Sequence, residues 1–366
     1  MTILLTALFV LHGLIHLMGF AKAFGFAELS QLTQPIAPAL GAAWLLAALL
    51  VLASAAAFAA GARWFWIAGA IAVVISQAVI VASWRDDWAG SLANALLLAV
   101  VAHAYLTEGP SSYLAQMRRD VDASFARTVA AAVVTEADLA PLPEPVRRYL
   151  RLTGVVGQPR VVDYRVRFRG RIRSDPASRW MPFEADQQSF ADEPTRLFLM
   201  RARMVGVPVQ AFHRSVGGHA TMQVKVLGVL TTVDARGDEM DRAEAVTLFN
   251  DMAILAPGTL LDSRICWEPV DHASARARFT HGGHTVTSTL LFGDDGLLKD
   301  FVSDDRLRSI DGRTFTRLRF STPLRDYRQY GPLRLASHGE AQWTLPEGPF
   351  TYGEFEIIDV AMNLPR

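Results

Sequence analysis

Uninterrupted apolar runs fill the first third of the chain, and two-residue alternation fills most of the rest. Four runs stand out: Ile3–Phe20, Ile36–Ala60, Trp64–Ser83 and Ser91–Leu106. A helix rises about 1.5 Å per residue and a bilayer core is about 30 Å thick, so roughly 20 residues cross it. Within lipid every backbone group must bond inside its own segment, so runs of this length predict four transmembrane helices. Gln34-Pro35 and Pro38 open the second, Gly61-Ala62-Arg63 and Arg85-Asp86-Asp87 separate the others, and Gly109-Pro110 closes the fourth. Proline at a helix start lacks only an N–H that would have no partner there. Trp64, Trp66, Trp84 and Trp88 stand at run ends, where interfacial aromatics belong.

The expected division is a four-helix transmembrane domain over 1–108, an amphipathic helical linker over 109–153 and a β-rich soluble domain over 154–366. In the linker, Leu114, Met117, Val121 and Phe125 share one helix face. Arg118, Arg119 and Arg127 accompany them, a composition suited to an anionic leaflet. After Pro141, Pro143 and Pro145 comes a short helix, Val146–Leu152, ended by Gly154.

From Tyr164 the period is two. Tyr164, Val166, Phe168 and Ile172 fall on one face, and Arg165, Arg167, Arg169, Arg171 and Arg173 on the other. Such alternation marks a strand with one buried side. Further strands are expected at 182–190, 196–204, 208–216, 220–227, 229–234, 264–270, 273–280, 285–292, 297–303, 313–321, 334–345 and 350–362. A helix at 238–255 interrupts them, because Ala245, Leu248, Phe249 and Met252 recur at helical spacing. His281-Gly282-Gly283-His284 reads as a hairpin turn. The fold class is therefore a membrane helical bundle plus a mostly antiparallel β domain, a curved sheet or half-barrel with one inserted helix. A concave apolar face of this kind can take an acyl chain or similar ligand.

Charge changes the picture little. Of 36 basic and 36 acidic residues, only Lys22, Arg63, Arg85, Glu28, Asp86 and Asp87 fall within 1–106, so both parts are neutral. A nucleic-acid partner would call for a basic excess. One cysteine, Cys266, excludes an internal disulfide. Arg63, Arg118, Arg119 and Arg127 lie on the side of both termini, Lys22 and Arg85 on the other. This bias favours a plasma-membrane protein with both termini and the β domain in the cytoplasm.

Several segments carry a resemblance: His12-Gly13-Leu14-Ile15-His16-Leu17 with Gly19-Phe20, and Pro145-Val146-Arg147-Arg148-Tyr149-Leu150 with Thr153-Gly154. Trp267-Glu268-Pro269-Val270-Asp271, Gly339-Glu340-Ala341-Gln342-Trp343 and Leu345-Pro346-Glu347-Gly348 follow in order. Together they resemble a bacterial family of four-helix membrane proteins with a C-terminal β-rich domain of unknown function. The soluble half is also distantly similar to the lipoprotein-carrier fold, a half-barrel whose apolar cavity is capped by helices. That similarity implies a β domain outside the cytoplasm, in conflict with the charge bias, and the bias weighs slightly more because it rests on residues of this chain.

Candidate chemistry is sparse. His12 and His16 lie one helical turn apart and, with Ser76 and Gln77 of the third helix, make a bundle polar cluster. It is either packing glue or part of a metal or haem site. Arg165, Arg167 and Arg169, with Trp267 and Trp343, are the candidate ligand-binding residues, although the arginines equally suit a solvated face paired with Glu184, Asp186, Glu354 and Glu356. His281/His284 and Glu268/Asp271 fit a turn and a strand end better than a metal or acid–base pair. No G-x-S-x-G, H-E-x-x-H, P-loop or C-x-x-C occurs, so no catalytic residue, metal ligand or cofactor is assigned. Three readings follow. The first is a non-enzymatic, membrane-anchored binder of a hydrophobic or amphipathic ligand such as a lipid. The second is a redox or metal protein built around the bundle histidines, and the third a sensor or assembly factor docking a protein partner.

Overall fold

The computed structural model describes residues 2–126 and 132–365. The chain forms two compact units, Met1–Gln116 and Met117–Arg366. In the first are α1 (Thr2–Ala23), α2 (Pro38–Ala59), α3 (Phe65–Ala82), the single turn α4 (Trp84–Asp87) and α5 (Gly90–Glu108). Among the described residues four helices are long and apolar enough to cross a membrane, the fourth within Gly90–Phe125. This is a multi-pass membrane protein. The α1–α2 seam packs tightly around small residues: a Cβ on Gly19 would stand 2.2 Å from the Trp44 ring, and one on Gly13 2.8 Å from Leu52.

Next come α6 (Tyr113–Phe125), α7 (Glu136–Leu139) and α8 (Glu144–Leu152). The sheet then begins with β1 (Asp163–Ile172), β2 (Met181–Phe190), β3 (Thr195–Met204), β4 (Val207–Val216), β5 (His219–Val226) and β6 (Leu230–Arg236). A long helix, α9 (Asp238–Ile254), and a 3-10 turn at Pro257–Leu261 precede β7 (Ile265–Pro269), β8 (Ser274–His281), β9 (His284–Phe292) and β10 (Leu298–Ser303). The short β11 (Leu307–Arg308), β12 (Thr316–Arg317) and β13 (Phe320–Ser321) lead to β14 (Leu324–Tyr330), β15 (Leu333–Leu345) and β16 (Gly348–Met362).

Among the described residues these strands make one antiparallel sheet in the order β6-β5-β4-β3-β2-β1-β16-β15-β13-β10-β9-β8-β7. β14 pairs with β15 off that path, and β11 and β12 form a separate ribbon. The sheet curls into a half-barrel, and its two arms meet at their tips. A Cβ on Gly218, in the β4–β5 turn, would stand 2.8 Å from the Gly282 Cα in the β8–β9 turn. Gly218 and Gly282 both have positive φ, which a tight turn in so close an approach demands.

α9 lies in the trough. Nearly its whole length is buried, with Ala245, Val246, Phe249 and Ala253 fully so. On β1, Tyr164, Val166 and Phe168 point into this core while Arg165, Arg167 and Arg169 point out, as the alternation requires. The outer face of β2–β4 is covered in part by α6: Asp120 pairs with Arg214 at 2.6 Å, and Phe125 packs edge-on against Phe190. Arg118 and Arg119 lie on this helix, and Arg127 lies outside the described residues.

Two strand expectations need correction. The segment 313–321 holds only the two-residue strands β12 and β13, because Asp311 turns the chain by accepting the N–H groups of Arg313 and Thr314. β14 was not expected. Its sequence, Leu-Arg-Asp-Tyr-Arg-Gln-Tyr, lacks a clean alternation, and Asp326 within it has φ +59°.

Candidate functional site

Between α9 and the concave face lies a cavity of about 100 Å³. Phe168, Phe198, Phe355, Leu324 and Ile254 supply apolar wall, and Gln187, Arg196, Asp251, Glu340 and Arg306 supply polar groups. The strands deliver these side chains by parity. Arg196 and Phe198 sit two apart on β3, so both face the trough, where Arg196 meets the acidic side chains of α9.

Arg196 is the hub. Its Nε donates to Asp251 Oδ2 at 2.6 Å, its Nη2 donates to Gln187 Oε1 at 3.3 Å, and its Nη1 lies 3.7 Å from Glu244 Oε1. Gln187 Nε2 in turn donates to Asp251 Oδ2 at 2.8 Å. Nη1 also donates to His213 Nδ1 at 3.2 Å, so that nitrogen carries the lone pair and a neutral ring holds its proton on Nε2. Nε2 faces Glu244 Oε2 at 2.6 Å. Burial alone would push the Glu244 carboxyl up; His213 and Arg196 outweigh it and hold the group below the usual carboxylate range. Burial pushes the Tyr164 phenol up, helped by Asp251. Glu244 is thus ionised beside Arg196 and the His213 ring, not a raised-pKa acid of the kind general acid catalysis uses.

Arg306 is different. It stacks on Phe320 at 3.9 Å and on Trp343 at 5.3 Å, and Nη1 donates to Tyr352 Oη at 3.0 Å. Among the described residues no carboxylate lies within ion-pair distance of it, although its charge helps to hold the Glu244 carboxyl down, and it lines the cavity. A half-buried guanidinium held on aromatic faces is a ready receptor for a carboxylate or phosphate.

The candidate residues read from sequence fall in different places. Arg165, Arg167 and Arg169 lie on the outer face, exposed. Arg165 and Arg167 approach Asp359 at 3.4 Å, and Arg169 pairs with Glu356 at 2.7 Å. Trp343 is buried, stacked on Tyr352 and beside Arg306. Trp267 is half-buried against Phe249. Arg196, Glu244, Asp251 and Arg306 were not singled out. One signal was available: Arg196 shares strand parity with the apolar Phe198 and Met200.

In the helical unit His12, His16 and Ser76 come together, with Asn94 of α5 as an unexpected member. Ser76 Oγ lies 2.7 Å from His16 Nε2 and 3.3 Å from His12 Nε2, and donates to Asn94 Oδ1 at 3.0 Å. His12 Nε2 lies 3.0 Å from the same Asn94 oxygen. Gln77 touches neither histidine: it accepts from Asn94 Nδ2 and donates to Ser91, both at 3.0 Å. The chain of bonds ties α1, α3 and α5 together. Among the described residues no group of three or more metal-ligating side chains forms.

A family profile described as a family of unknown function, DUF6544, matches residues 132–355. The chain belongs to this family. The DUF6544 match runs from α7 into β16, and so contains the charge network, Arg306 and every cavity-lining residue but Ile357. No curated protein matches the chain. Among solved structures, it is similar to a DUF1329 family protein from Desulfovibrio piger at 12% identity, with a TM-score of 0.37. That likeness covers 64% of this chain and 95% of the other. A LolA superfamily protein from Nitrosomonas europaea is similar at 10% identity, with 64% and 96% covered and a TM-score of 0.33. The half-barrel reading of this DUF6544 member stands on its own sheet order.

Proposed function

We propose that the β unit binds a hydrophobic or amphipathic ligand, a lipid or other acid-bearing amphiphile, while the helices hold it at the plasma membrane. The reading is non-enzymatic. The observation that carries it is the cavity under α9, apolar on most sides and headed by Arg306, a cation with no carboxylate within ion-pair distance among the described residues. The apolar wall suits a hydrocarbon segment, and Arg306 suits an anionic group. The volume sets a limit: an engineered cavity of about 150 Å³ takes benzene. With α9 where it stands, about 100 Å³ admits the end of a chain and not a whole acyl tail. Entry of anything longer needs α9 or the arm tips to move. The charge bias of the loops supports a cytoplasmic β unit, and that orientation is part of the proposal.

The test is mass spectrometry of the full chain purified in mild detergent, with organic extraction of whatever is bound. An acid-bearing amphiphile that co-purifies, and is lost in both Arg306→Ala and the cavity-filling Leu324→Trp, is the expected result. Protein that is folded and empty in every preparation overturns the reading.

A further inference from the structure

Two neighbouring hairpin tips expose bulky apolar side chains to solvent. The β3–β4 turn presents Met204, Val205 and Val207, and the β5–β6 turn presents Leu227, Val229 and Leu230. The turns are side by side, since Leu227 N–H donates to Pro208 O at 2.9 Å. Val205 is 94% exposed, close to the limit for any residue.

Their backbone makes these residues stranger. Val205 has φ +50° and Leu227 φ +57°, each followed by a glycine with positive φ. Where two successive turn residues both need positive φ, Asn-Gly or Asp-Gly is the ordinary choice. A β-branched or bulky residue in the left-handed region costs about 1–2 kcal/mol. The chain thus places valine and leucine where a polar residue would be easier on both conformation and solvation.

The strands that carry the tips hold cations and, up to Asp234, no acids of their own. No acidic residue occurs between Glu193 and Asp234, a stretch that forms nearly all of β3 to β6, although the whole chain is neutral. Arg201, Arg203 and Lys225 lie on the strands just behind the tips. Arg203 is exposed and has no acidic partner among the described residues. Arg201 pairs with Asp186 at 2.8 Å, which leaves Arg203 as the exposed cation behind the tips. Apolar points backed by a cation match the layering of an anionic leaflet, acyl chains first and then phosphate. A protein partner would instead be expected to meet a patch with hydrogen-bonding groups at its rim.

We infer that these two tips insert into the headgroup–acyl boundary of an anionic bilayer, with Arg203 at the phosphates. This surface is separate from the cavity and does not depend on what the cavity binds. The tips give the β unit its own contact with lipid.

The experiment uses the full chain in vesicles, with the single native cysteine removed as Cys266→Ser. An environment-sensitive fluorophore is placed at Val205→Cys, at Val229→Cys, or at Ile310→Cys. Val229 has ordinary backbone, so its variant tests the surface without altering the strained positions. Ile310 is an exposed apolar control near the far end of β6, where Gly312 abuts Ala235. Lipids carrying a quencher near the headgroup report insertion to about 5–10 Å. With phosphatidylglycerol present, labels at 205 and 229 should lose about half their emission, the label at 310 should not, and salt should weaken the effect. Equal behaviour at all three positions overturns the inference. So does blue-shifted emission at 205 and 229 without quenching, which would mean that protein covers the tips.

Discussion

Removing the Asp251 carboxylate tests whether the charge network is as dry as it looks. In Asp251→Ala, Arg196 loses its 2.6 Å partner and Gln187 Nε2 loses its acceptor. What remains for the guanidinium is Glu244 at 3.7 Å, His213 and Gln187. Breaking one side of a buried pair costs about 3–5 kcal/mol, because the surviving charge stays desolvated. The residual contact to Glu244 argues for the lower end, about 3 kcal/mol. Arg201→Ala is the control: it removes a pair of similar length, to Asp186 at 2.8 Å, but on the exposed face, where such pairs contribute about 0–1 kcal/mol. For a domain of this size 1 kcal/mol moves the midpoint by roughly 2–4 °C, so Asp251→Ala should lower it by about 6 °C or more. The assay is thermal unfolding of the full chain in detergent, followed by loss of β-sheet circular dichroism. Equal, small shifts in both variants would refute the claim that the network is desolvated.

Other expectations follow from single positions. Asp300 is half-buried, and burial raises its carboxyl from the usual 3.8 to about 6. The folded state therefore holds a proton that the unfolded chain releases, and stability should fall as pH rises through that window. Asp300→Asn keeps the acceptor for Thr322 N–H. It should flatten this dependence and add about 1–2 kcal/mol at pH 7, after discounting for partial exposure, as measured by melts across pH. Gly282→Ala puts a Cβ 2.7 Å from Gly218 O at a positive φ. It should cost about 1–3 kcal/mol and speed hydrogen exchange in the β4–β5 and β8–β9 turns, whereas unchanged exchange would mean that the arm tips are not in contact. Ser76→Ala removes the oxygen shared by both histidines. About 1 kcal/mol of bundle stability should go, read by unfolding in a denaturing detergent, and no loss at all would show that the bonds are unimportant.

Much of the architecture was legible because its signals are local. The four runs gave the helices to within a few residues at each end, and β1 to β5 follow the parity of Tyr164, Val166 and Phe168 and its counterparts. α9 announced itself by a change of period at Asp238. β14 did not, because an edge strand that pairs only with β15 needs no apolar alternation, and its Tyr327 and Tyr330 are the only aromatics in it. The charge network stayed hidden for another reason. Its members are contributed by β2, β3, β4 and α9, and only the curl of the sheet brings them together. Asn94 was overlooked likewise, since one amide in an apolar run has no partner in its own segment; its partners His12 and Ser76 come from other helices.

The network also explains how a helix can be seated uniquely in a trough. From Ala245 onward α9 is mostly apolar, and an apolar helical segment against an apolar sheet could slide or rotate with little change in buried area. Glu244 and Asp251 are seven residues apart, two turns along one face, and both reach Arg196. That pairing admits one register only. Buried charges can fix a register at a cost in stability, and replacing a buried pair by well-packed apolar groups is often neutral or stabilising. The two roles separate in Arg196→Met with Asp251→Leu and Glu244→Gln, which leaves no buried carboxylate behind in the network. If the network sets the register, the triple variant should melt within a few degrees of the parent yet exchange its α9 amides faster, because the helix samples more than one seat. If the network instead holds the fold together, the triple variant should melt as low as Asp251→Ala.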